Sequence, residues 1–336
     1  FTRQLWVKGE GTGDEHGRVE FAEGFVADLT EGGTVDDGFA SIRINNAVVV
    51  THHTQGIPVG QRPRPGNPDG PQTNGHFVFE NNPGRWIVEI NDQEYAGGVW
   101  IRHDVIFETQ TNLRHIGVTE DDNESSNKYR AGNAFQSNRD DRTITKRGVG
   151  DLVLAGGQAY RSGTVLRVEE GTVVMETDPS AGYFHNGIKS SLSPAGPDLE
   201  LELIVGGSTA FDAPVSSLKS IENVGGTLLL NGRVNLEEDF TQNDAGSGDP
   251  TAGRTIVVLD DTGSGSLNID GRARLGGVLH LELADGFIPT GGMVFDVLKA
   301  TAVSGSFAEI SIPPGLNLDV EQLSDRIRVI VGETGF

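Results

Sequence analysis

Residues 143–178, TITKRGVGDLVLAGGQAYRSGTVLRVEEGTVVMETD, contain three short apolar runs separated by glycine-bearing turns. The runs occupy positions 152–154, 165–168 and 173–175. Each run is too short for a helix, and its β-branched content with the flanking glycines predicts a strand. Because one strand of this length buries little apolar surface by itself, stability requires stacking on equivalent strands, as in a solenoid.

The same stretch resembles the autotransporter-associated β-strand repeat of bacterial surface proteins. The resemblance implies a right-handed parallel β-helix in a secreted, passenger-like protein. The sequence departs from the repeat at Asp151, where threonine is usual, and at Arg161 and Ser162, where a glycine often stands. The residues that carry the resemblance are Lys146, Gly148, Gly150, Leu152, Leu154, Gly156, Tyr160, Gly163, Thr164, Gly171 and Thr172.

Composition narrows the function classes. The 336 residues include 47 glycines, about twice the usual share, and no cysteine. The absence of cysteine excludes disulfides, thiolate metal sites and cysteine nucleophiles. A formal charge of −22 disfavours nucleic acid as a partner, since phosphates would be repelled over most of the surface. No apolar run is long enough to span a membrane as a helix. A chain that opens at Phe1 rather than Met is what removal of a signal peptide would leave.

Strand-sized apolar pieces recur along the whole chain, and no helical periodicity lies between them. This pattern predicts an all-β fold with glycine-rich turns, in which a right-handed parallel β-helix is preferred and a β-sandwich-like N-terminal part is the alternative. We expect an N-terminal β-rich region at 1–142, a solenoid at 143–283 and a C-terminal capping module at 284–336. The inward-facing residues predicted for the C-terminal half are Leu199, Leu201, Leu203, Leu218, Ile221, Leu228, Leu230, Val234, Leu236, Ile256, Val258, Leu267, Ile269, Leu279, Leu281 and Leu283.

The capping prediction rests on the stretch 276–313, GGVLHLELADGFIPTGGMVFDVLKATAVSGSFAEISIP. This stretch resembles the terminal module of many secreted bacterial repeat proteins, which closes the β-helix. The physical requirement agrees, because an open end exposes a row of unpaired backbone groups.

Two segments are candidates for self-assembly. Residues 55–75 form a proline- and glycine-rich loop whose cations, Arg62 and Arg64, are able to dock on a neighbour's acidic face. The N-terminal run Leu5, Trp6 and Val7 is strand-like and is able to extend the sheet of a neighbouring copy.

Catalytic and metal sites are weakly indicated. Adjacent acids are able to hold Ca²⁺ or to act as general acid and base, but a chain with 48 acidic residues contains such pairs by composition alone. The calcium candidates are Asp121, Asp122, Glu124, Asp260 and Asp261. A further acidic and basic cluster comprises Asp140, Asp141 and Arg142. Histidine candidates are His52, His53, His76 and His103, although neighbours on a strand face opposite ways.

The sequence therefore predicts a non-catalytic extracellular structural or adhesive protein, displayed on a bacterial surface or self-assembling into a filament or sheath. Its predicted partners are itself or a cell-surface or extracellular polysaccharide, with no cofactor beyond a structural Ca²⁺. One alternative is a polysaccharide-degrading β-helix enzyme, which needs carboxylates clustered with Arg or Lys in a groove on one sheet face. The other is a carbohydrate-binding β-sandwich, which needs an exposed aromatic platform among Trp6, Trp86 and Trp100.

Overall fold

The computed structural model describes a defined part of the chain. Of the residues given in the next sentence, those from 99 onward have described side chains, except residue 100 and the residues of the ranges 184–185 and 188–189. The described residues are 4–8, 17–20, 41–45, 47–51, 76–81, 84–88, 93–95, 99–101, 103–109, 112–115, 135–137, 139–179, 184–185, 188–189, 201–243, 252–263 and 265–333.

Every regular element in these ranges is a β-strand, which confirms the all-β prediction. The chain forms two compact units. Unit 1 comprises Phe1–Leu166 and Glu170–Leu199, and unit 2 comprises Arg167–Glu169 and Glu200–Phe336. The divisions expected before residues 143 and 284 differ from these boundaries and stay predictions about sequence modules.

Unit 1 is built from short strands, of which β15 ends with two residues that belong to unit 2. They are β1 (Gln4–Lys8), β2 (Gly17–Glu20), β3 (Ser41–Asn45), β4 (Ala47–Thr51), β5 (His76–Asn81), β6 (Gly84–Val88), β7 (Gln93–Tyr95), β8 (Val99–Ile101), β9 (Val105–Thr109), β10 (Leu113–His115), β11 (Phe135–Ser137), β12 (Thr143–Arg147), β13 (Leu152–Leu154), β14 (Gln158–Ala159), β15 (Val165–Val168), β16 (Thr172–Met175), β17 (Phe184–His185) and β18 (Ile188–Lys189).

Strands of unit 1 pair in parallel along three sheets, with the orders β1-β3-β5-β8-β11-β14, β2-β4-β6-β9-β12-β15 and β7-β10-β13-β16. From β5 onward, successive strands enter the three sheets in turn, so three strands make one coil. The described N-terminal pairs, such as β1 with β3 and β2 with β4, are parallel. A β-sandwich consists of antiparallel sheets, so these pairs correct the sandwich-like alternative for the N-terminal part.

Unit 2 contains the remaining strands. They are β19 (Glu202–Val205), β20 (Ser208–Phe211), β21 (Val215–Leu218), β22 (Ser220–Asn223), β23 (Thr227–Leu230), β24 (Arg233–Leu236), β25 (Phe240–Gln242), β26 (Arg254–Leu259), β27 (Ser266–Ile269), β28 (Arg272–Leu275), β29 (Val278–Leu283), β30 (Val294–Lys299), β31 (Ala302–Gly305), β32 (Glu309–Ser311), β33 (Leu318–Gln322) and β34 (Arg326–Val331).

The three sheets of unit 2 are β19-β22-β25-β28-β31, β20-β23-β26-β29-β32 and β21-β24-β27-β30-β34-β33. From β19 to β29, each strand pairs in parallel with the strand three places further along the chain. Equivalent residues stack directly: Leu203 pairs with Ile221, Ile221 with Phe240, and Phe240 with Ala273. This periodicity is that of a stacked solenoid with three strands in each coil.

The core of each unit consists of the inward-facing residues of these strands. The alternation of buried and partly exposed residues follows from the pleat, because successive side chains point to opposite faces. Six leucines that the sequence placed inside are all buried: Leu152 and Leu154 in unit 1, and Leu228, Leu230, Leu279 and Leu281 in unit 2. Leu199, which was also predicted inside, lies outside the described residues.

One register prediction was wrong. In β26, the buried residues are Thr255, Val257 and Leu259, and the predicted pair Ile256 and Val258 is only half-buried. Four consecutive apolar residues at 256–259 carry no alternation, so the sequence pattern could not choose the inward set. The polar Thr255 is accepted inside because its Oγ1 donates a hydrogen bond of 2.5 Å to Gln242 Oε1.

The C-terminal part of unit 2 changes its pairing mode. Strand β30 pairs in parallel with β27 on one side and antiparallel with β34 on the other. Strand β33 then pairs antiparallel with β34. The parallel series of the third sheet therefore ends in an antiparallel strand pair within the segment expected to act as a cap.

Unit 1 has a buried cation at one of its turns, which we call the Lys146 corner and define as Lys146, Gly148, Glu170 and Gly171. The side chain of Lys146 is fully buried. Its Nζ donates to the backbone oxygens of Arg147 at 3.0 Å, Gly148 at 2.8 Å and Glu170 at 2.9 Å. A buried ammonium is tolerated only with such partners, so the lysine joins the turns of successive coils.

Glycine is required at this corner for a steric reason. Gly171 has a φ of +65°, and a Cβ there would lie 2.7 Å from Lys146 Nζ. Gly148 has a φ of +78°. Both values lie in the left-handed region that side-chain-bearing residues adopt at an energetic cost.

Unit 2 has a neutral counterpart, the Asn223–Gln242 corner, defined as these two residues with Thr255. Asn223 and Gln242 are both buried and stack on each other in register. Asn223 Oδ1 accepts hydrogen bonds from the amides of Gly225 at 3.3 Å and Gly226 at 2.9 Å. Gln242 Nε2 donates to the backbone oxygens of Gly276 at 2.7 Å and Val278 at 3.2 Å. Two neutral amide side chains thus provide hydrogen-bond partners for backbone amides and oxygens of the turns.

Candidate functional site

The third sheet of unit 2 carries an open polar groove of about 390 Å³. A volume of this size lies within the range of small-molecule sites. We call it the unit 2 groove; the residues used below to describe it are Arg233 of β24, Asp261, Ser266 and Asn268 of β27 with the turn before it, and Phe295, Asp296 and Lys299 of β30.

Asn268 lies in the floor of the groove and is hydrogen-bonded to a second amide on the neighbouring strand. Asn268 Nδ2 donates a hydrogen bond of 3.0 Å to Asn235 Oδ1. Asn235 Nδ2 donates in turn to the backbone oxygen of Val215 at 3.2 Å. On the other side, Asn268 lies in register with Lys299. The parallel register therefore places amides and an ammonium side by side on one sheet face.

Asp296 is the most strongly held carboxylate of the groove. Its Oδ1 accepts a hydrogen bond of 2.8 Å from Arg328 Nε, and its Oδ2 lies 3.2 Å from Arg326 Nη1 and 3.3 Å from Lys299 Nζ. The hydrogen bond from Arg328 is the main cause that lowers the pKa of Asp296 from its usual value. Burial opposes that effect, and Lys299 adds to it. A carboxylate kept ionised in this way is a fixed anion and is unsuited to donate a proton as a general acid.

The turn before β27 contains the predicted calcium candidates Asp260 and Asp261. Asp260 uses its carboxylate within the turn, where Oδ1 accepts from the Thr262 amide and from Thr262 Oγ1, both at 2.9 Å. Asp261 is exposed and lines the groove. Among the described residues, no three His, Asp or Glu side chains come together as a set of metal ligands. Calcium binding at this turn stays a prediction.

Other predicted acidic candidates lie elsewhere. Asp140 and Asp141 are exposed in a turn of unit 1, where Asp141 has a φ of +56° and its amide donates to the backbone oxygen of Ser162 at 2.9 Å. Arg142 follows them and is half-buried. The candidates Asp121, Asp122 and Glu124 lie outside the described residues.

The histidine candidates are not shown as a group. His103 is described and half-buried, and His76 begins β5, for which only the backbone is described. His52 and His53 lie outside the described residues.

The assembly candidates are described in part. Leu5, Trp6 and Val7 lie in β1, whose backbone pairs in parallel with β3. In the described part of unit 1, β1 is the terminal strand of its sheet, so one of its edges is free of strand pairing. Arg62 and Arg64 lie outside the described residues.

Sequence reasoning missed the cations that surround Asp296. A signal was present, because Arg326 and Arg328 alternate with the buried Ile327 and Val329 in β34. Alternation predicts that both arginines project from the same face. Their common partner Asp296 was not predictable, since the β30–β34 register shifts between Asp296 and Leu298.

Comparisons with known proteins give no relative from which to transfer a function. No protein-family model matches the chain, and no curated protein matches it. In the part of the chain that the structure describes, no helix has the length and apolarity needed to cross a membrane.

Proposed function

We propose that the chain is a non-catalytic extracellular structural or adhesive protein of a bacterial surface, folded as a right-handed β-helix. The observation that carries the proposal is the three-strand periodicity of parallel pairing within each unit. Crossovers between parallel strands of one sheet are right-handed in almost all proteins, which supports the handedness. The resemblance of residues 143–178 to the repeat of bacterial surface proteins supports the location.

The physical reason for a structural role is the extent of backbone pairing. Within the described part of each unit, an inner coil pairs with the coils on both sides, and this pairing supplies rigidity that does not depend on disulfides. The chain has no cysteine, and its charge of −22 favours solubility. Such a body suits exposure at a cell surface, where it would present ligand-binding or assembly surfaces.

Surface shaving tests the location. Intact cells that produce the native protein are treated with protease, and released peptides are identified by mass spectrometry, with a cytoplasmic protein as the control. We expect peptides of this chain to be released while those of the control stay inside. Retention of the chain with the control would contradict the proposal.

A polysaccharide-active or polysaccharide-binding protein is the second candidate. It is favoured by the unit 2 groove, which combines the carboxylates of Asp261 and Asp296 with Arg233 and Lys299 on one sheet face. Incubation with polysaccharides, followed by a reducing-end assay and by absorbance of unsaturated products, separates degradation from binding. Product formation that is lost in Asp261→Asn would establish the enzyme instead.

Self-assembly is part of the proposal and uses the edge of β1 that pairs with no described strand. Deletion of residues 1–7 should reduce the mass measured by light scattering at high salt, where repulsion between acidic subunits is screened. The intact chain at low and high salt is the control. If the intact chain is monomeric at both salt concentrations, it does not form a filament. If assembly survives the deletion, β1 is not the contact.

A further inference from the structure

We propose that the unit 2 groove binds a neutral, hydroxyl-rich glycan. The inference rests on the proposed adhesive role and names the site and the ligand class that would serve it. It is carried by polar groups in the groove that have no partner among the described residues, and by the balance of their charges.

The first free groups are a cation and an anion. Arg233 is exposed at the start of β24, and its side chain makes no ion pair or hydrogen bond with any described residue. Asp261 is exposed on the turn before β27, and its side chain likewise has no partner among the described residues. The guanidinium offers several donors in a planar fork, and the carboxylate offers only acceptors. Both kinds of group therefore face the same groove.

The floor adds neutral groups of both kinds. The amide nitrogen of Asn268 is used by Asn235, which leaves its Oδ1 as an acceptor without a described donor. Ser266 lies in register with Arg233 and contributes a hydroxyl, which both donates and accepts. A sugar hydroxyl also donates and accepts, so alternating donors and acceptors match a polyhydroxylated chain better than they match a polyanion.

The charges lead to the same ligand class. Lys299, Arg326 and Arg328 all pair with Asp296, and Arg326 also pairs with Asp325, so two carboxylates already engage these three cations. Arg233 is opposed in the groove by Asp261. The net charge of −22 would repel an acidic polysaccharide at low salt. A neutral glycan avoids that repulsion and still uses every free polar group.

An apolar surface completes the groove. Phe295 lines it and is braced by Phe287, with ring centroids 6.2 Å apart in an edge arrangement. The exposed Val294 lies beside it. Sugar rings present C–H faces between their hydroxyls, and such a face packs against an aromatic ring. The groove therefore offers one apolar wall beside its polar groups.

Titration calorimetry of the full chain with named probes tests the proposal. The neutral probes are maltohexaose, cellohexaose and mannohexaose, and the charged probe is an oligogalacturonate. We expect millimolar or tighter binding of at least one neutral probe, unaffected by salt. Arg233→Ala and Asp261→Asn should each weaken binding about tenfold, since each removes a hydrogen bond to a charged group.

The matched controls are Arg274→Ala and Asp270→Asn, which replace exposed groups outside the groove. Both should bind like the parent, and circular dichroism should show that all four variants fold. The proposal is overturned if no neutral probe binds, if the two groove variants bind like the parent, or if oligogalacturonate binds more tightly and is displaced by salt. Surface shaving is independent of these results. If the protein is found on the cell surface but binds no glycan, only the glycan proposal fails and the proposed surface location stands.

Discussion

The two corners solve one problem with different chemistry. In both, buried polar groups of a turn must be hydrogen-bonded inside a coil. The Lys146 corner uses one ammonium for three backbone oxygens, whereas the Asn223–Gln242 corner divides donors and acceptors between two neutral amides. The charged solution satisfies more groups with one side chain, but it makes unit 1 sensitive to substitution and to pH.

The largest expected effect is that of Lys146→Met, which fills similar space and leaves three backbone oxygens without their donor. We expect a loss of about 3 kcal/mol in the unfolding free energy of unit 1, since each unsatisfied buried group is costly. Tryptophan fluorescence in urea measures it, because Trp6, Trp86 and Trp100 all belong to unit 1.

The control for that substitution is Arg139→Met, which removes an exposed cation of unit 1 from the turn between β11 and β12. It should change the transition by no more than about 0.5 kcal/mol. Equal effects of the two substitutions would show that the buried hydrogen bonds of Lys146 do not stabilise unit 1.

Gln242→Leu tests the neutral corner and should have the next largest effect. It leaves the Gly276 and Val278 oxygens and the Thr255 hydroxyl without their side-chain partner. We expect a loss of about 2 kcal/mol, measured by hydrogen exchange of β25, β26 and β29. The outward neighbour Thr241→Val is the control, and unchanged protection in Gln242→Leu would contradict the assigned role.

The alkaline pH dependence separates the two corners. Burial lowers the pKa of Lys146 from 10.5 to about 8, while the charges of Asp151 and Glu170 oppose the effect. Between these pH values the unfolded chain binds more protons than the folded chain, so this group makes the folded state more stable as pH rises. The advantage of the parent over Lys146→Met should therefore grow from about pH 8 to pH 10.5. The difference between the parent and Gln242→Leu should stay constant, and a flat difference for Lys146→Met would show that its pKa is not lowered.

A smaller effect is expected at acid pH in unit 2. Because the pKa of Asp296 is lowered in the folded state from 3.8, its stabilising contribution is present above that value and is lost as pH falls below it. Hydrogen exchange of β30 and β34 should show the parent more protected than Asp296→Asn at neutral pH, with the difference shrinking in acid. A constant difference down to low pH would exclude the carboxylate as its source.

The sequence predicted strands and burial best where charge and apolarity alternate. In β29, Leu279 and Leu281 alternate with His280 and Glu282 and are buried as predicted, whereas Leu283, predicted for the same face, is half-buried. In β26, the unbroken apolar run allowed either face, and the choice was decided by the contact of Thr255 with Gln242. That contact joins different coils and has no local signal.

The polar sites were less predictable than the strands. A lysine is rarely buried, and only the position of its three oxygen partners makes Lys146 acceptable inside. The groove likewise depends on register, because Arg233, Asn268 and Lys299 come from three strands that are neighbours only in the folded sheet. The pair of adjacent acids identified Asp261 as a candidate, but nothing in the sequence indicated that Arg233 lines the same groove.

The central claim is that successive coils stack in parallel with the stated register, and cysteine cross-linking tests it most directly because the chain has no native cysteine. Glu222 and Thr241 are partners on β22 and β25, with side chains outside the core. The double variant Glu222→Cys and Thr241→Cys should oxidise readily to a disulfide, since paired strands place the Cα atoms within bonding range. The control, Glu222→Cys with Asn243→Cys, is displaced by two residues and should oxidise far more slowly under the same conditions. Equal or faster cross-linking of the displaced pair would contradict the register and with it the stacked solenoid.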